Sequence, residues 1–140
     1  MTRAALLLAL LLVQGCTFGT RESSFTRPGG EEVTVSLGDN HEVTGELLAA
    51  RREGLLLRTT GVFEIPWDEI ESTSFDRLRD VRWPERSIPN SQTLEKLRLV
   101  SRFPQGLDEA MTRRLLEAYG QEGVRVCRVV DERLACEVAS

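Results

Sequence analysis

The stretch from Glu32 to Phe75 constrains the fold most, because it reads as several short β-strands in unbroken succession. Val33, Val35 and Leu37 alternate with polar residues, which is the period-two pattern of a strand with one buried face. After turn-forming residues, the alternation continues through Val43, Gly45, Leu47 and Ala49, with Gly45 where a strand must bend or admit a close backbone. Further short segments of this kind follow to the end of the stretch. Five short strands with tight turns cannot bury both faces of a flat sheet, so we expect closure into a small barrel.

The run VTVSLGDNHEVTGELLAARREGLLLRTTGVFEIPWDEIESTSF resembles the five-stranded barrel of Sm-like proteins. The matching features are an alternating first strand, a polar turn, a strand with an internal Gly followed by two leucines, a Leu-rich third strand and a closing strand with Ile. The resemblance implies a mainly β fold for residues 32–75. Sm proteins read RNA with an acidic residue and an Asn after the second strand, where this chain has Arg51 to Gly54, and with a later Arg-Gly pair that is missing here. RNA binding is therefore not implied.

Residues 1–15 have the pattern of an export signal. Arg3 precedes ten apolar residues, too few for a bilayer span of about 20 residues. The segment Val13 to Cys16 resembles the lipobox of bacterial lipoproteins, which implies that the Cys16 thiol takes a diacylglycerol and that Cys16 becomes the acylated first residue. Membrane lipid would then be a partner of the chain. An ordinary secretory peptide with a chance cysteine is the alternative.

Residues 16–31 are rich in Ser, Thr, Gly and Arg and show no periodicity, which predicts a flexible tether. Because Thr17 and not Asp follows Cys16, the resemblance to lipoproteins favours the outer membrane. The formal net charge of the chain is −4, so we expect no nucleic-acid partner.

Residues 76–90 alternate arginines with acidic residues and predict a solvated connector, in which Trp83 covers the barrel. A cluster of arginines around an aromatic ring could instead bind a polyanion. Beyond the connector, residues 91–140 begin with a helical pattern capped by Asn90 or Ser91 and stopped at Pro104, followed by a second helix from about Asp108 to Tyr119. We expect the two helices to form a helical hairpin packed on the barrel, with their apolar stripes in the core.

The C-terminal segment predicts a β-hairpin. If Asp131 and Glu132 form a two-residue loop, Cys127 lies directly opposite Cys136, at a Cα distance of about 4.5 Å that a disulfide tolerates. An exported chain meets an oxidising compartment, so we expect a disulfide that closes this loop and stabilises the fold by about 2 to 3 kcal/mol. The alternative is a redox-active dithiol, although the chain has no Cys-x-x-Cys motif.

Residues suited to catalysis are few. His41 is the only histidine and lies in a polar turn, where we expect it to be solvated. Asp68, Glu69 and Glu71 could act as paired carboxylates, but beside a strand junction they indicate a solvated edge. We therefore expect no catalytic residue, no metal site and no cofactor.

Together these patterns predict a mainly β protein with helical additions: a signal peptide, a tether, a five-stranded Sm-like small barrel, a helical hairpin and a C-terminal β-hairpin. We expect a non-enzymatic, lipid-anchored envelope protein that binds or scaffolds, with an envelope protein or polymer as partner. An Sm-like nucleic-acid-binding protein and an envelope thiol-disulfide redox protein using Cys127 and Cys136 are the alternatives. A subunit of a larger complex with no ligand of its own is a further possibility.

Overall fold

The computed structural model describes residues 29–139, so Cys16 and the predicted export signal lie outside the described residues. Seven β-strands and two α-helices follow one another in the described chain. Their bounds are β1 Glu32–Leu37, β2 His41–Ala50, β3 Gly54–Arg58, β4 Val62–Pro66, β5 Ile70–Phe75, α1 Ser91–Val100, α2 Glu109–Ala118, β6 Arg125–Val130 and β7 Arg133–Val138. A single 3-10 turn, Trp67–Glu69, joins β4 to β5. The fold is mainly β with helical additions, as the sequence predicted.

All seven strands belong to one sheet, in the order β5-β1-β2-β3-β4-β6-β7. Neighbours are antiparallel except β4 and β6, which run parallel. The sheet is open, with β5 at one edge and β7 at the other, so the predicted closure of five strands into a barrel is not confirmed. The C-terminal hairpin instead extends the sheet beside β4. Strand alternation shows which face is buried but carries no information about a partner strand some 60 residues away in the chain.

The first strand follows its sequence pattern. Val33, Val35 and Leu37 are all buried, whereas Thr34 and Ser36 between them are partly exposed. One face of β1 therefore lies in the core, as the alternation predicted.

The second strand departs from its pattern after Leu47. The alternation predicts Ala49 on the same face as Leu47, but the pairing with β3 shifts by one residue between them, which makes Leu48 an extra residue in a β-bulge. As a result, Leu48 and Ala49 join one hydrophobic cluster, and Leu47 and Ala50 join the other. The prediction for Ala49 is wrong because a bulge depends on the partner strand.

The two helices cover different clusters. Helix α1 buries Leu97 in the cluster that contains Val33 and Leu47, while α2 buries Leu116 in the cluster that contains Leu48. The helices therefore do not pack as the predicted helical hairpin on one surface. Since this part of β2 is apolar on both faces, each face needs a cover, and each helix supplies one apolar stripe.

The end of the predicted tether is fixed in place. Gly30 and Glu31 are buried, and the Glu31 carboxylate accepts hydrogen bonds from Arg77 Nε and from the Leu78 amide, both at 3.0 Å. The Glu31 amide also donates to the Val100 carbonyl at 2.9 Å. These bonds join the start of the described chain to the segment after β5 and to the end of α1.

The connector after β5 packs on the core. Trp83 meets Trp67 edge to face, with ring centroids 5.8 Å apart, and Val81 is buried beside them. The prediction that Trp83 covers the strands is confirmed. The cover also reaches β5, since the Arg86 amide donates to the Ile70 carbonyl at 2.7 Å.

Candidate functional site

A groove of about 560 Å³ lies between the β2–β3 turn, α1 and the loop that follows α1. We call it the Arg52 groove. Its lining combines arginines with apolar side chains and includes Arg51, Arg52, Arg98, Leu99, Phe103 and Leu107. Leu99 is 66% exposed and so offers the groove an apolar side chain that solvent or a partner can reach.

One wall of the Arg52 groove is the β2–β3 turn, which Trp67 holds in place. The buried Trp67 indole nitrogen donates to the carbonyls of Arg51 and Arg52, at 3.2 and 3.0 Å, and the Trp67 amide donates to the Glu53 carbonyl at 3.2 Å. All three carbonyls of the turn thus bind one residue. This fixes the direction in which the Arg52 side chain leaves the turn.

The opposite wall is fixed to β2. The amides of Arg102 and Phe103 donate to the carbonyls of Leu47 and Leu48, both at 2.9 Å. The chain then turns, with the Gly106 amide donating to the Phe103 carbonyl at 2.9 Å; Pro in the second place and Gly in the fourth are typical of a type I turn. Both walls of the groove are therefore formed before any partner arrives.

Two of the three arginines that line the groove form ion pairs. Arg51 pairs with Glu64 at 3.5 Å, and Arg98 pairs with Glu95 on the same helix at 3.8 Å. Arg52 is exposed and forms no ion pair with any residue in 29–139. Its neighbour Glu53 also lines the groove, is exposed and forms no ion pair within the same residues, so the groove presents one free cation beside one free carboxylate.

A second feature of interest is the buried carboxylate of Glu46, which is not part of the lining of the Arg52 groove. Glu46 on β2 accepts from Arg58 Nε at 2.7 Å, from Arg102 Nη1 at 3.4 Å and from the Gly30 amide at 3.1 Å. Hydrogen bonding to the Tyr119 hydroxyl, and behind it the charge of Glu46, raises the pKa of Arg58 above its usual value. Through these three donors Glu46 joins four segments of the chain: the residues before β1, β2 itself, β3 and the loop after α1.

The predicted disulfide between Cys127 and Cys136 is confirmed, with the Cα atoms 4.0 Å apart. The predicted register of the hairpin is also confirmed, from Val130 opposite Arg133 to Cys127 opposite Cys136. The bridge faces a small apolar cavity of about 170 Å³ against Val43 and Phe63. It therefore lies on the core side of the hairpin.

His41 does not occupy a solvated turn on its own, as the sequence had suggested. Its Nε2 atom lies 3.0 Å from the Glu132 carbonyl oxygen and donates to it in the tautomer that carries the proton on Nε2. This contact joins the first residue of β2 to the β6–β7 turn. Its role is to hold two hairpins together.

The three candidate carboxylates are divided between two arginines. Asp68 and Glu69 bind Arg128 Nη1 at 3.2 and 3.0 Å, and these bonds raise the pKa of Arg128, with Asp68 contributing most. Glu71 pairs with Arg86 at 2.9 Å. The structure thus places them in separate ion pairs at the strand junction.

No family model matches this sequence, and no curated protein and no solved structure matches it either. Among residues 29–139, neither helix is long and apolar enough to cross a bilayer. The same residues contain no group of three His, Cys, Asp or Glu side chains placed to hold a metal ion.

The sequence did not identify the Arg52 groove. Its residues come from three segments that the chain pattern treats as a turn, a helix and a loop. The one available signal was Leu99, an apolar residue out of phase with the buried stripe of Leu94 and Leu97. The buried Glu46 carried no signal, because a charged residue in a strand ordinarily faces water.

Proposed function

We propose that this protein is a lipid-anchored protein of the bacterial cell envelope that acts, without catalysis, as a binding or scaffold module. The observation that carries the proposal is the Cys127–Cys136 disulfide, because disulfides persist in oxidising compartments outside the cytosol. The lipobox-like segment ending at Cys16 supports the same compartment by a separate line of argument. Acylation of Cys16 would hold the domain at the membrane, and the residue at 17 favours the outer membrane.

The finer architecture belongs to this proposal too. The strands of the Sm-like segment pair consecutively from β1 to β4, and β5 returns to pair with β1, so that Phe75 lies opposite Val33. This consecutive antiparallel unit supports an Sm-like arrangement of the strands in residues 32–75. The nucleic-acid function of that family is not part of the proposal, because acidic residues accompany the arginines of the groove and the whole chain is acidic.

The binding surface in the proposal is the Arg52 groove. Arg52, which has no ion-pair partner within residues 29–139, lines the same groove as exposed Leu99 and partly buried Phe103, and this combination suits a protein segment that offers a carboxylate beside an apolar side chain. A purely anionic polymer would gain nothing from the apolar half of the groove. A protein of the envelope is therefore the partner that the groove fits best.

The redox alternative requires a sulfur that an attacking thiolate can reach. Cys127 is 1% exposed, and Cys136 is only partly accessible. These values favour a structural bridge over a cycling dithiol.

A photoreactive phenylalanine analogue at Leu99 tests the proposal in living cells. We expect illumination to attach one envelope protein to position 99, and not to a matched analogue at Met111, which is also exposed but lies on α2 outside the groove. Adding Cys16→Ser should abolish the cross-link, because the domain would leave the membrane. Equal labelling at the two positions, or a cross-link unchanged by Cys16→Ser, would contradict the proposal.

A further inference from the structure

The two edges of the sheet differ in how they are covered. At the β5 edge, the connector carrying Arg86 and Trp83 binds and covers the strand. At the β7 edge, no segment within residues 29–139 forms a hydrogen bond with the outer side of the strand. An uncovered edge strand presents unpaired amides and carbonyls, which are a template for another strand.

The hairpin register identifies the backbone groups that are free. In a two-residue hairpin, the residues that flank the loop exchange hydrogen bonds, and such pairs then alternate along the ladder. Since Val130 lies opposite Arg133, the backbone groups of Arg133, Ala135 and Glu137 point toward β6. Those of Leu134, Cys136 and Val138 point outward.

We infer that the β7 edge is a self-association surface, on which a second copy of this chain adds its own β7 in antiparallel orientation. Outward-pointing residues must pair with outward-pointing residues, which leaves few registers. In one of them, Leu134 lies opposite Cys136 of the second copy, and Ala135 lies opposite Ala135 on the twofold axis. The two seven-stranded sheets then become continuous.

Charge complementarity selects this register. It places Arg133 of each copy opposite Glu137 of the other, in rungs without backbone hydrogen bonds, where facing side chains approach most closely. Arg133 and Glu137 are both exposed, and neither forms an ion pair with another residue in 29–139. A shift by two residues in one direction puts Glu137 opposite Ala135, and in the other direction opposite Asp131, which repels it.

Ala135, the residue on the twofold axis, is also compatible with this register. Ala135 lies between the two charged residues on the same face of β7, and its small side chain allows two copies to meet at a Cα distance of about 4.5 Å. That face is also where Val126 and Val130 line a shallow depression of about 230 Å³.

A charge-swap cycle on the full chain, purified in mild detergent, tests this inference. We expect the wild type to show a concentration-dependent dimer in sedimentation velocity. R133E should weaken the dimer about tenfold, because it replaces two opposite-charge contacts with two like-charge contacts. E137R should act equally, and R133E/E137R should restore wild-type association. The variants share any lipid anchor, so association through micelles cannot imitate this pattern, and the inference does not rest on the anchor.

A thiol at the axis reports the register. A135C should form an intermolecular disulfide with itself under mild oxidation, mapped by mass spectrometry of the linked peptides, and L99C, at a more exposed position on α1, should not. R133E in the A135C background should slow the cross-link. A monomeric wild type at every concentration, single variants that associate normally, or equal linking of A135C and L99C would overturn the inference.

Discussion

At the scale of single residues, Glu46 shows how a polar side chain organises this fold. It is 8% exposed, and its donors come from the chain before β1, from β3 and from the loop after α1. No buried side-chain nitrogen or oxygen in residues 29–139 lacks a hydrogen-bond partner. A buried carboxylate that satisfies three donors is costly to remove, because the donors then lose their acceptor.

We predict that Glu46→Gln lowers the free energy of unfolding by about 1 to 2 kcal/mol, measured by urea denaturation. The value is below that of a fully buried ion pair, since the Arg58 and Arg102 side chains are about 30% exposed and partly screened by water. Glu71→Gln is the matched control, because its pair with Arg86 is exposed to solvent and should contribute less to stability than the contacts of Glu46. Equal effects of the two substitutions would contradict the role given to Glu46.

At the scale of elements, the sequence predicted what depends on neighbouring residues. Asn90, one of the two caps predicted for the first helix, accepts from the Thr93 amide at 2.8 Å, and the whole β6–β7 register followed from one assumed loop. It did not predict the bulge after Leu47, the parallel pairing of β4 with β6 or the placement of the helices on two clusters. Each of those is decided by contacts between segments far apart in sequence.

The β6–β7 turn carries backbone strain that one substitution can relieve. Asp131 and Glu132 both have positive φ, 49° and 59°, as the favoured two-residue turn requires, but neither is glycine. We predict that Glu132→Gly raises the free energy of unfolding by about 0.5 kcal/mol and the melting temperature by a few degrees, since relief of strain exceeds the added entropy of the unfolded chain.

Glu53→Gly is the control for this turn, because Glu53 lies in the β2–β3 turn and is absent from the positive-φ residues of the described chain. There the substitution should only destabilise. Thermal unfolding followed by circular dichroism checks both variants. Destabilisation of similar size at the two positions would show that the β6–β7 turn is not strained.

At the scale of the whole molecule, the proposed function depends on where the protein resides. A domain with preformed groove walls, a disulfide and a well-fixed start at Glu31 is suited to stand on a tether at a membrane surface. The sequence predicted the disulfide and the mainly β character of this domain. It could not predict the Arg52 groove, because that surface exists only once three separate segments have packed.

Intact mass spectrometry of the protein extracted from bacterial membranes, with a Cys16→Ser variant beside it, tests this account most directly. We predict that the wild-type chain begins at Cys16 and is heavier than the polypeptide by its acyl groups, and that the variant carries no lipid and leaves the membrane fraction. A wild-type chain that begins at Met1, carries no added mass and is soluble would contradict the lipid anchor, and with it the envelope function proposed for this protein.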